Sequence, residues 1–282
     1  MVQQTESSSS SETIHRILPP SPPATDNMNL LALKENTLSL AKIRDVLIRC
    51  EDTIIFAFIE RAQFMSNAAI YEPGKFAFAN GFSGSFLSWF LLEVESVHAK
   101  VRRYTSPDEY PFSSPSSLPA PILQALPYPS ILHPNDININ PQIFDIYVKE
   151  IIPVIAAAGD DLNYGSATTR DIEALQAISR RIHYGKFVAE AKFIGPEHDK
   201  YVSLIKAQDR AAIEELLTDR VVEARLLARL EKKAMAYGQD PDDVSAVKNY
   251  KVRPQVIRDV YEKFVIPLTK LVEVDYLLRR LD

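Results

Sequence analysis

The chain has one cysteine, Cys50, in 282 residues. A single thiol closes no internal disulfide. The five histidines, His15, His98, His133, His183 and His198, are too scattered to complete a metal-binding spacing with it. A reducing compartment and a site without metal are the expectations. Glycine is sparse at 8 residues. Only Gly81-Phe82-Ser83-Gly84 brings two glycines close together, and with no strand before it this reads as a turn. Neither a phosphate loop, nor a dinucleotide fingerprint, nor a Ser-His-Asp order is found, and no cofactor is expected. No run of 18 apolar residues occurs, so no membrane span is expected. An excess of positive charge is absent as well. The formal net charge is −5, which argues against a nucleic-acid partner.

The N-terminal stretch lacks an apolar core of the kind a secretory leader needs. It carries Ser7 to Ser11 and the prolines Pro19, Pro20, Pro22 and Pro23. A transit peptide is not expected either, because Arg16 is the only base before Lys34 and Glu6, Glu12 and Asp26 are acidic. Residues 1–37 read as a polar disordered tail, residues 38–282 as one domain, and the location as cytoplasmic.

What is present is apolar residue at helical spacing. The hydrophobic fraction is 46%, enough for a substantial core. Leu40, Ile43, Leu47, Ile54, Phe58 and Ile59 mark a helix over 39–67 with Ser39 as N-cap. A second helix is expected from Ser85 to about Tyr104. Residues 105–142 hold nine of the 19 prolines and predict a long irregular crossing. Tyr110, Phe112, Leu123, Tyr128 and Ile131 suggest that this crossing packs down. Further helices are expected at about 142–157, 169–193, 198–206, 209–217, 219–237 and 254–281. Thr168 and Asp171 predict a capping box, Pro254 a first turn and Pro267 a kink. Strand signals are weak throughout. The expected class is all-α, a single-domain multi-helix bundle with a proline-rich crossing.

The richest segment is Ser179-Arg180-Arg181-Ile182-His183-Tyr184-Gly185-Lys186-Phe187-Val188-Ala189-Glu190-Ala191-Lys192-Phe193. On one continuous helix Arg181 and Lys192 leave the same face, roughly 16 Å apart along the axis. Two long cations so placed can hold a small dicarboxylate between them. Thr269 and Glu273, at i and i+4, offer a hydroxyl and a carboxyl to one ligand. Arg44, Glu223 and Glu273, taken singly, read first as ordinary charges on solvated faces. His183 reads first as a packing or capping group, Cys50 as a small buried hydrophobe, and Arg279 and Arg280 as partners of a helix dipole.

The stretches SRRIHYGKFVAEAKF at 179–193, IPLTKLVEVDYLLRRLD at 266–282 and IRDVLIRCEDTIIF at 43–56 resemble the eukaryotic all-helical chorismate mutases. RRYTSPDEYPF at 102–112 and NYGSATTRDIEALQ at 163–176 support the resemblance, which spans about residues 38–282. It implies an isomerase that rearranges chorismate to prephenate, a committed step of phenylalanine and tyrosine biosynthesis in the shikimate pathway. The reaction is pericyclic and uses no nucleophile, metal or cofactor. By the same resemblance Arg44 and Arg181 grip the substrate carboxylates, Lys192 and Glu273 hydrogen-bond the ether oxygen, Thr269 is a neighbouring contact and Glu223 accepts the ring hydroxyl. The family's fungal pattern has an amide where this chain has Asp219. Glu273, beside a dianionic substrate, is expected to work protonated.

The resemblance further implies a homodimer with allosteric control by tryptophan and tyrosine. The matching residues are Arg102 and Arg103, with Asn163, Gly165, Ser166 and Thr169 facing them. An arginine pair and a helix N-terminus suit an amino-acid carboxylate. Leu162 stands where regulated fungal members carry a second asparagine. The rival reading is a catalytically silent or secreted relative that serves as an interaction protein. It predicts gaps among the six active-site positions. No fused prephenate dehydratase or dehydrogenase is expected.

Overall fold

The computed structural model describes residues 30–32, 38–79, 81–239 and 249–282, and among these it holds helices, turns and loops but no strand. The tail expected over residues 1–37 lies outside the described residues except for a short 3₁₀ turn, Leu30–Ala32. Leu30 packs against the cluster around Ile43 and Val46.

Helix α1 spans Leu40–Arg61 and buries Ile43, Val46, Cys50, Ile54, Ala57, Phe58 and Arg61, spaced three and four apart. Ser39 precedes it without a side-chain cap bond. The helix stops at Arg61, short of the expected 67. There the guanidinium turns into the next loop, donating to the carbonyls of Phe64 and Ser66, each at 3.1 Å. Helix α2, Phe86–Lys100, starts on Ser85, whose hydroxyl accepts from Ser88 N at 3.1 Å. It ends before the expected Tyr104, because Arg102 takes a left-handed conformation at φ 61°.

The proline-rich crossing packs down at its two ends. The buried Glu95 carboxylate accepts from Phe112 N and Ser113 N, each at 2.7 Å. Asn140 donates to the carbonyls of Tyr110 and Pro111, and Tyr276 Oη accepts from His133 N. Lys186 joins both ends, with Nζ 2.5 Å from Ile137 O and 3.1 Å from Tyr110 Oη. Between these anchors Leu123 stays exposed, against expectation: the backbone on either side of it is tied to the end of α2, with Ile122 N donating to Lys100 O at 2.9 Å and Gln124 O accepting from Arg102, and its side chain is left in solvent.

The next helix is α3, Asn140–Ile146, continued by a π turn, Tyr147–Ile151, into α4, Ile152–Ile155. The same construction recurs in α10, Pro254–Val260, a π turn at Tyr261–Val265, and α11, Ile266–Leu278. Pro153 and Pro267 each follow a π turn by two residues. A proline has no N–H and its ring crowds the carbonyl four residues back, so a widened turn gives that ring room. The kink expected at Pro267 takes this form.

Helix α5, Tyr164–His183, begins five residues before the expected start at 169. Thr168 is therefore inside the second turn, fully buried, and no capping box forms. Asp171 instead faces Arg61: Arg61 Nε stands 2.6 Å from Asp171 Oδ1, and both side chains are fully buried. Tyr71 and Tyr147 donate to the same carboxylate at 2.8 Å. Helix α6, Gly185–Phe193, follows after a break at Tyr184, so Arg181 and Lys192 stand on two successive helices rather than one. Helices α7, His198–Lys206, α8, Arg210–Leu217, and α9, Arg220–Ala236, complete the bundle. One core unites Ile54 and Phe58 of α1, Leu175 and Ile182 of α5, Phe193 of α6, and Val272 and Leu277 of α11. Arg279 and Arg280 do more than face a helix dipole. Arg279 pairs with Asp136, and Arg280 forks onto Glu190 at 2.7 and 3.0 Å.

Candidate active site

Five of the six proposed active-site side chains gather where α5, α6, α9 and α11 meet. The close approach of α11 to α6 makes this possible. A Cβ added at Gly185 would stand 3.1 Å from Glu273 Cγ, Thr269 Cγ2 and Thr269 O. Only a residue without a side chain lets the two backbones come this near.

Arg181 leaves the last turn of α5 and is 4% exposed. One of its terminal nitrogens donates to Thr269 Oγ1 at 3.3 Å. Its Nε is buried with no partner among the described residues. Thr269 gives its own proton to Val265 O at 2.6 Å, which orients its lone pairs toward Arg181. Lys192, in the last turn of α6, donates from Nζ to Leu217 O at the end of α8. Glu223 lies in the first turn of α9, with its Oε1 2.8 Å from Lys270 Nζ.

Glu273 sits among these groups and is 7% exposed. Burial pushes its carboxyl up to about 7. Lys192, Arg181 and Lys270 pull it down, while Glu223 pushes it up. Near neutral pH this carboxyl is therefore partly in its acid form. It can donate a proton to an acceptor oxygen as readily as it can accept one. The Tyr201 hydroxyl on α7 faces it, and burial together with Glu273 raises that phenol to about 12.

Arg44, the sixth residue, stands exposed at the start of the second turn of α1 and makes no hydrogen bond or ion pair among the described residues. Its neighbours Ile43 and Val46 pack on Tyr184, Phe187 and Ala191, which anchors this part of α1 to α6. Asp219 is occupied as an N-cap, accepting from Val221 N at 3.1 Å and Val222 N at 3.0 Å. His183 is a packing group. Its Nε2 accepts from Ile139 N, and burial, with help from Lys186, pushes its pKa down to about 3. Cys50 is buried, and that burial raises its thiol.

Two residues of this neighbourhood escape the sequence reading. Gly185 carries the close contact, and its only signal is a glycine inside an otherwise helical run. Lys270 pairs with Glu223, and the sequence offers only its spacing of three from Glu273.

The residues matched to an effector site form two groups that a single chain does not bring together. Arg103 bonds Glu109 Oε2 and Gln176 Oε1, each at 3.1 Å, and Arg102 bonds Gln124 O. Asn163, Gly165, Ser166 and Thr169 lie at the start of α5. From Gly165 to Gln176 is roughly 16 Å of helix. Within one protomer the two groups therefore stand apart, as two halves of a site between protomers would. Thr169 Oγ1 donates to Gly165 O at 2.9 Å, and Leu162 is 75% exposed at φ 62°.

Residues 163–274 match the family model described as chorismate mutase type II. A chorismate mutase of Pichia angusta is 51% identical over 253 residues, covering 88% of this chain and 89% of the other. Chorismate mutase 2 of Arabidopsis thaliana is 47% identical over 254 residues, covering 88% and 95%. Among solved structures, a chorismate mutase of Candida albicans in complex with L-Trp superposes with a TM-score of 0.81 at 49% identity, covering 86% of this chain and 92% of that one. With likeness of this degree over nearly the whole folded length, the chain belongs to the all-helical chorismate mutases of fungi and plants.

Proposed function

We propose that the chain converts chorismate to prephenate at the cluster of Arg181, Lys192, Glu223, Thr269 and Glu273, with Arg44 closing on the substrate from α1. The observation that carries this reading is Glu273: a buried carboxyl held near neutrality between Lys192 and Arg181. The substrate is a dianion, and a forked guanidinium meets a carboxylate bidentately. Arg181, with an Nε that has no acceptor among the described residues, is suited to that task. As the C–O bond breaks, negative charge gathers on the ether oxygen. Lys192 and the acid form of Glu273 supply donors at that point. Glu223 takes the ring hydroxyl. Fixed cations also select the compact conformer in which the two reacting carbons meet. No gap appears among the six positions, which disfavours the silent relative.

The enzyme acts as a cytoplasmic homodimer under control of tryptophan and tyrosine. In support of the dimer, Val97 and Val101 are exposed along the end of α2, and the two effector groups meet only if a second copy supplies one of them. Sedimentation should give a particle of twice the chain mass. Chorismate absorbance should disappear in the presence of the purified protein, and the rate should change when either amino acid is added. Tryptophan binding, measured at equilibrium, should be lost in Arg103→Ala. Stable chorismate in the presence of folded protein would sink the catalytic reading.

A further inference from the structure

Lys270 sits on α11 beside Thr269 and one turn before Glu273, and its ammonium reaches across to α9, 2.8 Å from Glu223 Oε1. The two side chains are 20% and 29% exposed, and a pair this open to water adds little to stability. Its placement has a clearer consequence for charge. The groups facing Glu273 are Arg181 from α5, Lys192 from α6, the Tyr201 hydroxyl from α7, Glu223 from α9 and Lys270 from α11 itself. Glu215 of α8 faces Lys270 from farther out. With Glu273 in its acid form, the cations Arg181, Lys192 and Lys270 stand against the one carboxylate of Glu223, and Arg44 adds a further cation when it closes on the substrate. Without Lys270 this positive charge falls by one, and Glu223 presents an uncompensated carboxylate to a doubly negative ligand.

We propose that Lys270 is a positioning residue of this site, holding the Glu223 carboxylate in place and completing the fixed positive charge that receives a dianionic substrate. The inference rests on the active-site reading above.

The test compares Lys270→Met, Lys270→Gln and Lys270→Arg with the unaltered enzyme, following kcat and KM for chorismate between pH 5 and 9. Thermal midpoints are recorded for each. Losing the ammonium should raise KM about tenfold, the ratio that follows from removing one ordinary charge contact. It should also move the alkaline limb of the profile upward by about half a unit or more. Glu273 then loses a nearby cation and faces an unpaired Glu223. Arginine should restore both values, with midpoints alike in all the variants. The glutamine variant, polar and of similar length, stands in if methionine disturbs the fold. If KM and the limb stay in place in folded Lys270→Gln, or if arginine fails to restore them, the role of Lys270 is overturned. Glu273→Gln, run alongside, separates the two readings. A limb that persists in that variant condemns the active-site assignment, whereas a flattened limb with unmoved Lys270 variants condemns only the present inference.

Discussion

Gly185 and Glu273 stand so close that one added carbon would bring them into conflict. A Cβ on Gly185 would meet Glu273 Cγ at 3.1 Å, and the backbone carbonyl of Thr269 at the same distance. This contact fixes the depth at which α11 lies against α6, and therefore where the carboxyl stands relative to Lys192 and Arg181.

Gly185→Ala should displace α11 by a few tenths of an ångström. Ala favours a helix by about 1 kcal/mol over Gly, while overpacking costs about 1 to 3 kcal/mol, so stability should fall by at most about 2 kcal/mol. Turnover depends on donor placement far more sharply, and a misplacement of this kind should lower kcat about tenfold or more. Steady-state kinetics beside a thermal melt would separate the two effects. Unchanged kcat would show that the depth of α11 does not govern the chemistry.

Glu273 makes activity depend on pH with a definite sign. Its folded-state pKa is raised, to about 7, by burial. The acid form that donates to the ether oxygen is present below that value and is lost as pH rises through it. Activity should therefore fall on the alkaline side. Stability follows the same course: the contribution of this group is full below the usual carboxylate range and is lost as pH rises through about 7. Glu273→Gln keeps a donor at every pH, so it should flatten the rate profile and remove this part of the pH dependence of the melting temperature. A glutamine variant inactive across the range would exclude a role limited to donating a hydrogen bond.

Lys192 and Thr269 should differ in what their removal costs. Lys192 supplies charge where charge develops, and losing such a donor lowers kcat by about 100- to 1000-fold. Thr269 touches Arg181 through a 3.3 Å hydrogen bond, so its loss acts at one remove. Thr269→Ala should cost less than Lys192→Ala in kcat. The reverse order, measured at saturating chorismate, would reassign the main electrostatic contact.

Asp171 should matter for folding and not for chemistry. It is fully buried, paired with Arg61 and held by two tyrosine hydroxyls. Removing one member of such a pair strands the other, at a cost of about 3 to 5 kcal/mol. Asp171→Ala should lower the urea midpoint accordingly with an unchanged denaturant slope. A shift under 1 kcal/mol would mean that water reaches Arg61.

The helices were largely legible because their signal is local. In α1 the buried residues follow one another at intervals of three and four, a pattern visible without any partner. The errors fall where a distant contact overrides that pattern. Thr168 and Asp171 have the spacing of a capping box, yet the helix already begins at Tyr164, and Asp171 is claimed by Arg61 from 110 residues away. The segment 179–193 reads as one helix but breaks at Tyr184, so that Arg181 and Lys192 approach Glu273 from two helices.

The order of residues determined the all-helical class, the proline-rich crossing and the motifs that place the chain in its family, since each of these is carried by short stretches of side chains. Which charges share a cavity was decided only in three dimensions. Glu273 looks like any carboxylate until four helices remove it from water, and its proton affinity comes from that loss of solvent together with cations that lie far off along the chain. Lys270 gains its partner on α9 in the same way, because an ion pair depends on distance through space and not along the sequence.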